Sequence, residues 1–144
     1  MPTRRLHLMA WFGLPLALAR PARACDFYSS HLRIWHPWTR ATRAGADTAK
    51  LFMRFDEVQR TDRLIGIETP VATGARLVDG ANARPLSLQI MAGHDLTLHE
   101  DGLHIELLDL QHPLQIGRSF PLKLIFEAAE PVNAMLNVDL PALR

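Results

Sequence analysis

His94–Glu127 reads HDLTLHEDGLHIELLDLQHPLQIGRSFPLKLIFE, and this stretch decides the fold class. Three apolar-rich runs, Leu96–Leu98, Leu103–Leu110 and Pro121–Phe126, are each of strand length and are divided by two turn signals. The first turn signal is His99-Glu100-Asp101-Gly102. Its Asp-Gly pair predicts a hairpin, because glycine takes positive φ at no steric cost. The second runs from Gln111 to Ser119, with Pro113 and Gly117 as breakers. Within Leu103–Leu107 side chains alternate across the pleat. Leu103, Ile105 and Leu107 therefore face one way, while His104 and Glu106 face the other. Two side chains able to bind metal, at i and i+2 on one strand face, are the best chemical handle in the chain.

The same alternation spreads outward. Ala49–Phe55 sets Ala49, Leu51, Met53 and Phe55 against Lys50, Phe52 and Arg54. Leu32–Thr39 is β-prone but carries Pro37, which has no N–H for a ladder, and this predicts an edge or irregular strand. Further strands are expected at Arg63–Thr69 (with a bulge at Gly66), Arg76–Val78, Leu86–Ile90 and Val132–Val138. Residues 25–31 read as a leader, Arg40–Thr48 as a loop and Asp79–Ala83 as a turn. Eight or nine short strands with frequent turns and no sustained helical period predict an all-β chain, an antiparallel sandwich or Greek-key barrel.

The segment 1–24 has its own character. Arg4-Arg5 precedes an apolar run, Leu8–Ala19, and Ala22-Arg23-Ala24 is a small-x-small cleavage pattern. This is the layout of a secretory signal, and the run is too short for a bilayer span of about 20 residues. The division expected is 1–24 as signal and 25–144 as one domain. Cleavage takes four arginines from the 16 basic residues and nothing from the 15 acidic ones, which leaves a net charge of −3. No basic patch interleaved with aromatics remains, so nucleic acid is excluded as a partner. Cys25 is the single cysteine, so no intrachain disulfide forms. Its place after the cleavage pattern leaves two readings: an acylated first residue anchoring the protein, or a free thiol.

The chain resembles the bacterial periplasmic copper chaperones written PCu(A)C. The matching residues are His36-Pro37-Trp38-Thr39-Arg40-Ala41-Thr42, Asp62-Arg63-Leu64-Ile65-Gly66-Ile67, Thr69-Pro70-Val71-Ala72, Leu110-Gln111-His112-Pro113-Leu114, Gly117, Ser119-Phe120-Pro121-Leu122, Leu124, Phe126 and Glu127. The resemblance implies a cupredoxin-like β-sandwich, a periplasmic location, and delivery of copper to a metalloenzyme or other copper-accepting protein. In that family two His and two Met hold Cu(I). The corresponding positions here are Val78, the neighbourhood of Ala83, His104 and Glu106, so one donor of four is kept. Cu(I) prefers thioether, thiolate and imidazole, whereas a carboxylate suits harder ions. The resemblance thus implies copper handling with an altered or degenerate site. The candidate ligands are His104, Glu106, His94 and His99, with His36 and Met91 as further donors.

Bland readings stand beside these. His104 can be a rim histidine without a ligand, and Glu106 a solvated carboxylate. His94, His99 and His104 fall close together in the chain, but His99 and His104 flank a turn, where histidines are usually solvated. Met53 and Met135 fit a core. Trp35 and Trp38 bracket His36-Pro37 and can cover one end of a sandwich. No nucleophile, base and orienting group occur together, so an enzyme is not expected. The alternative to copper handling is a metal-free sandwich that uses its rim to hold another protein.

Overall fold

The computed structural model describes Gly13 and residues 26–140. The expected signal and Cys25 lie outside the described residues. Eleven strands occur in chain order: β1 Asp26–Tyr28, β2 Arg33–Thr39, β3 Ala49–Asp56, β4 Asp62–Glu68, β5 Gly74–Asp79, β6 Asn82–Pro85, β7 Leu88–Ile90, β8 Leu96–Thr97, β9 His104–Leu108, β10 Ser119–Phe126 and β11 Val132–Val138. There is no helix among the described residues, and none therefore long and apolar enough to cross a membrane.

Strands follow the order β6-β5-β9-β3-β2-β11-β10-β4-β7, with β1 added beside β2 and β8 beside β3. The sheet curls so that inward faces from both halves share one core, the cupredoxin-like sandwich. Ile34, Leu51, Phe55, Leu77, Ile105 and Leu107 from one half pack with Leu64, Ile90, Leu122, Leu124 and Leu136 from the other, all essentially inaccessible. Each such side chain contributes roughly 1.5–3 kcal/mol by leaving water. Alternation in the sequence produces this directly: the odd residues of β3 and β9 point inward, as expected.

Three elements differ from expectation, each for a physical reason. β2 is the irregular strand that Pro37 predicts, but it lies inside the sheet and not at an edge. It is irregular where Pro37 sits, because Trp35 pairs with Arg54 while Trp38 pairs with Phe52, leaving one extra residue on β2. That bulge absorbs the missing N–H, and His36 enters the left-handed region at φ 49°. Before it β2 is flanked by β1; after it β2 runs parallel to β11. Asp26–Tyr28, read as a leader, is thus a strand. Second, Asn82–Pro85 extends what read as a turn, pairing with β5 across a turn at Gly80-Ala81 in which Gly80 adopts φ 60°. Third, His99–Gly102 closes no hairpin. β8 pairs with Arg54 and Phe55 of β3, and β9 pairs with Ala49, Lys50 and Leu51 of the same strand. The two segments run in line along one edge of β3, and residues 99–102 loop out between them. Local turn chemistry is still satisfied, with Gly102 N–H on the His99 carbonyl and His99 N–H on that of Leu103. Pairing with β3 decides where the flanks go.

The bulge expected near Gly66 is present: Gly66 opposes Ile125 and Leu64 opposes Phe126, so Ile65 is extruded and exposed.

Candidate metal centre

The outward face of β2, β3, β9 and β5 carries an apolar row. Trp38 pairs with Phe52, and Val78 pairs with His104. The indole of Trp38 lies 4.7 Å from the Phe52 ring, which lies 6.1 Å from the His104 ring. All four residues are buried although they face away from the main core; His104 is 5% exposed.

His104 is held in a specific way. Its Nδ1 is 2.9 Å from the Gly102 carbonyl oxygen, so Nδ1 carries the proton and donates it. Nε2 is then left with its lone pair, and it has no hydrogen-bond partner among the described residues. An imidazole fixed at one nitrogen by a backbone carbonyl, with the other lone pair unused, is the arrangement of a metal-ligating histidine. It is also a costly one, since a buried polar atom without a partner loses roughly 1–3 kcal/mol.

The other candidates are placed differently. Glu106 shares the face and lies between Lys50 and Arg76 in the register. Its Oε1 accepts from Arg76 Nε at 3.0 Å and Nη2 at 2.5 Å, so the carboxylate is already paired. His94 is exposed in the β7–β8 connection, where its N–H donates to the Met91 carbonyl. His99 is exposed at the start of the 99–102 loop, leaning on Gly102. His36 Nε2 lies 2.7 Å from Asp139 Oδ2, and Met91 sits on a surface turn. Among the described residues no group of three or more His, Cys, Asp or Glu is arranged to hold an ion. The register does bring Val78 beside both His104 and Ala83. The positions that the sequence resemblance points to are therefore neighbours in space.

Sequence reading missed two buried polar constellations. Asp62, with its side chain fully buried, accepts from its neighbour Arg63 N–H at 2.8 Å and from Ala128 and Ala129 N–H at 2.9 Å each. His31 Nε2 lies 3.3 Å away, near enough for charge attraction but without hydrogen-bond alignment. Asp56 takes a two-pronged ion pair from Arg33 at 2.6 Å per bond, which holds its carboxyl below the usual range despite burial. Partners that far apart in the chain leave no local signal.

The LpqE-like family model, whose description names a lipoprotein, matches residues 32–138. Among solved structures, the copper-bound PCuAC domain from PmoF2 is 26% identical, with a TM-score of 0.73 over 81% of this chain and 98% of that one. The apo PmoF2 PCuAC domain is 28% identical, with a TM-score of 0.70 over 81% and 95%. The Cu(I) form of DR1885 from Deinococcus radiodurans is 26% identical, with a TM-score of 0.57 over 70% and 76%. No curated protein matches the chain. With a family match across most of its length and the sandwich of PCuAC domains in its fold, the chain belongs to the LpqE-like family.

Proposed function

We propose that this is an exported copper-binding accessory protein that passes copper to a metalloenzyme or other copper-accepting partner, and that it is not itself an enzyme. The observation that carries the reading is the His104 imidazole: its proton is fixed on the Gly102 carbonyl and its Nε2 lone pair is free. Copper-bound PCuAC neighbours support it. The site is altered from a four-donor one. His104 is the leading ligand, and His99, on the adjoining loop, is the second imidazole able to join it. Glu106 contributes only by giving up Arg76, and His94 is a remote donor. A site of few protein ligands suits transfer, because an incoming partner can replace them stepwise.

Export rests on the signal-like segment 1–24 and on the lipoprotein description of the family. The sequence position of Cys25 supports a lipid anchor there, on a mature domain spanning 25–144.

A second reading has an observation in its favour. The Arg76–Glu106 pair and the dispersal of the other histidines fit a metal-free sandwich whose rim holds a protein. Titration of the mature protein with Cu(I), Cu(II) and Zn(II) separates the two. One-to-one copper binding that is lost in His104→Ala, with thermal melting showing the variant folded, is the expected result. Weak binding indifferent to His104 gives the second reading instead.

A further inference from the structure

We propose that Met91 and His94 form a soft-metal site of their own, a two-donor landing point for Cu(I) on the surface turn between β7 and β8. The inference extends the copper reading to a second place and does not need His104 as a ligand. Met91-Ala92-Gly93-His94 is a closed turn. The His94 N–H donates to the Met91 carbonyl at 3.1 Å, and Gly93 takes φ 76° at the third position, the sign a type II turn requires there. Residues that close such a turn have Cα atoms less than about 7 Å apart. A thioether on a flexible arm and an imidazole on a short one therefore reach a common ion. The pair is distant from His104. Leu96 pairs with Phe55 and Ile105 with Leu51, four residues or roughly 13 Å apart along β3, and His94 lies two residues further out.

The turn is held while its two side chains are not. Gly93 N–H donates to the Val58 carbonyl at 2.8 Å and Ala92 N–H to Thr61 Oγ1 at 3.0 Å, so both central residues are pinned to the β3–β4 connection. Ligation then costs side-chain freedom only, since the backbone is already in place. Met91 is 53% exposed, whereas Met53 is buried in the core and Met135 is half-buried on β11. His94 is exposed beside it, and among the described residues neither side chain has a polar partner. The carboxylate that follows, Asp95, is taken by Arg54 at 2.8 Å. What remains on the turn is one thioether and one imidazole, a donor pair that favours Cu(I) over the harder divalent ions. Solvent or a thiol completes the coordination, and two exposed donors release the ion as readily as they take it.

The test uses Ag(I), a redox-stable stand-in for Cu(I), followed by Cu(I) itself without oxygen. Mature protein carrying labelled methionine methyl groups is titrated while the methyl and imidazole NMR signals are followed residue by residue. The Met91 methyl and His94 ring signals should move together and saturate at one ion, with the Met53 methyl unmoved. Met91→Leu should weaken the His94 response several-fold, and His94→Gln should weaken that of Met91 likewise. Zn(II) should leave the Met91 methyl in place. Both side chains are exposed, so melting curves should be unchanged in each variant. A Met91 methyl that stays still at saturation, or a His94 response equally strong in Met91→Leu, overturns the pair. The same titration of His104→Ala separates the two sites. If the pair is silent while one ion binds and is lost in His104→Ala, the second site falls and the His104 reading stands. If the pair responds in full and nothing else depends on His104, the second site stands and the His104 reading falls.

Discussion

Asp62 shows what one buried carboxylate does for this fold. Burial opposes its charge, but three backbone N–H donors and the nearby His31 outweigh that and hold the carboxyl below its ordinary range. Its partners lie at the start of β4, in the β10–β11 connection and just before β2, so it ties three turns together. A carboxylate with a depressed folded value stabilises fully above the unfolded value of about 3.9 and loses that contribution as pH falls through the folded one. Asp62→Asn should therefore cost roughly 2–3 kcal/mol in urea unfolding at pH 7. It should also flatten the loss of stability below about pH 4. An unchanged acid limb would mean that the charge is not what matters there. Arg76→Gln is the contrast. Arg76 is nearly half exposed, so breaking its pair with Glu106 should change stability by less than about 1 kcal/mol.

Strands set the next level. Ile65 and Ile105 are the same residue type in strands of similar pattern, but β4 bulges at Ile65 and turns it to solvent, whereas Ile105 is fully buried between β3 and β5. Ile105→Ala should cost about 2–5 kcal/mol, the usual range for emptying a packed site. Ile65→Ala should stay within about 0.5 kcal/mol. Equal losses in denaturant melts would overturn this account of the bulge. The alternation on β3, β9 and β11 was legible in the chain because each has one face on a continuous core. The central place of β2 was not. Pro37 argues for an edge wherever the ladder is regular, and only the bulge lets a strand with a proline sit between two neighbours.

For the molecule as a whole, export is the prediction to test first. Expressed from the full sequence in a bacterial host, the protein should be recovered without the segment 1–24 and with Cys25 first, as the mass of the mature N-terminus would show. An additional acyl mass on Cys25 would establish the anchor. A chain that keeps Met1 removes the export reading. The residues alone determined the all-β class and the inward and outward faces of the main strands. Periodicity fixes faces, and a strand face is a local property. Tertiary structure decided that β8 and β9 lie in line along β3 and do not form a hairpin. It also decided that Glu106 is held by Arg76, that His94 and His99 are exposed, and that His104 is buried. Those outcomes turn on which strand edge wins the backbone hydrogen bonds and which distant charge arrives. A one-dimensional pattern carries neither.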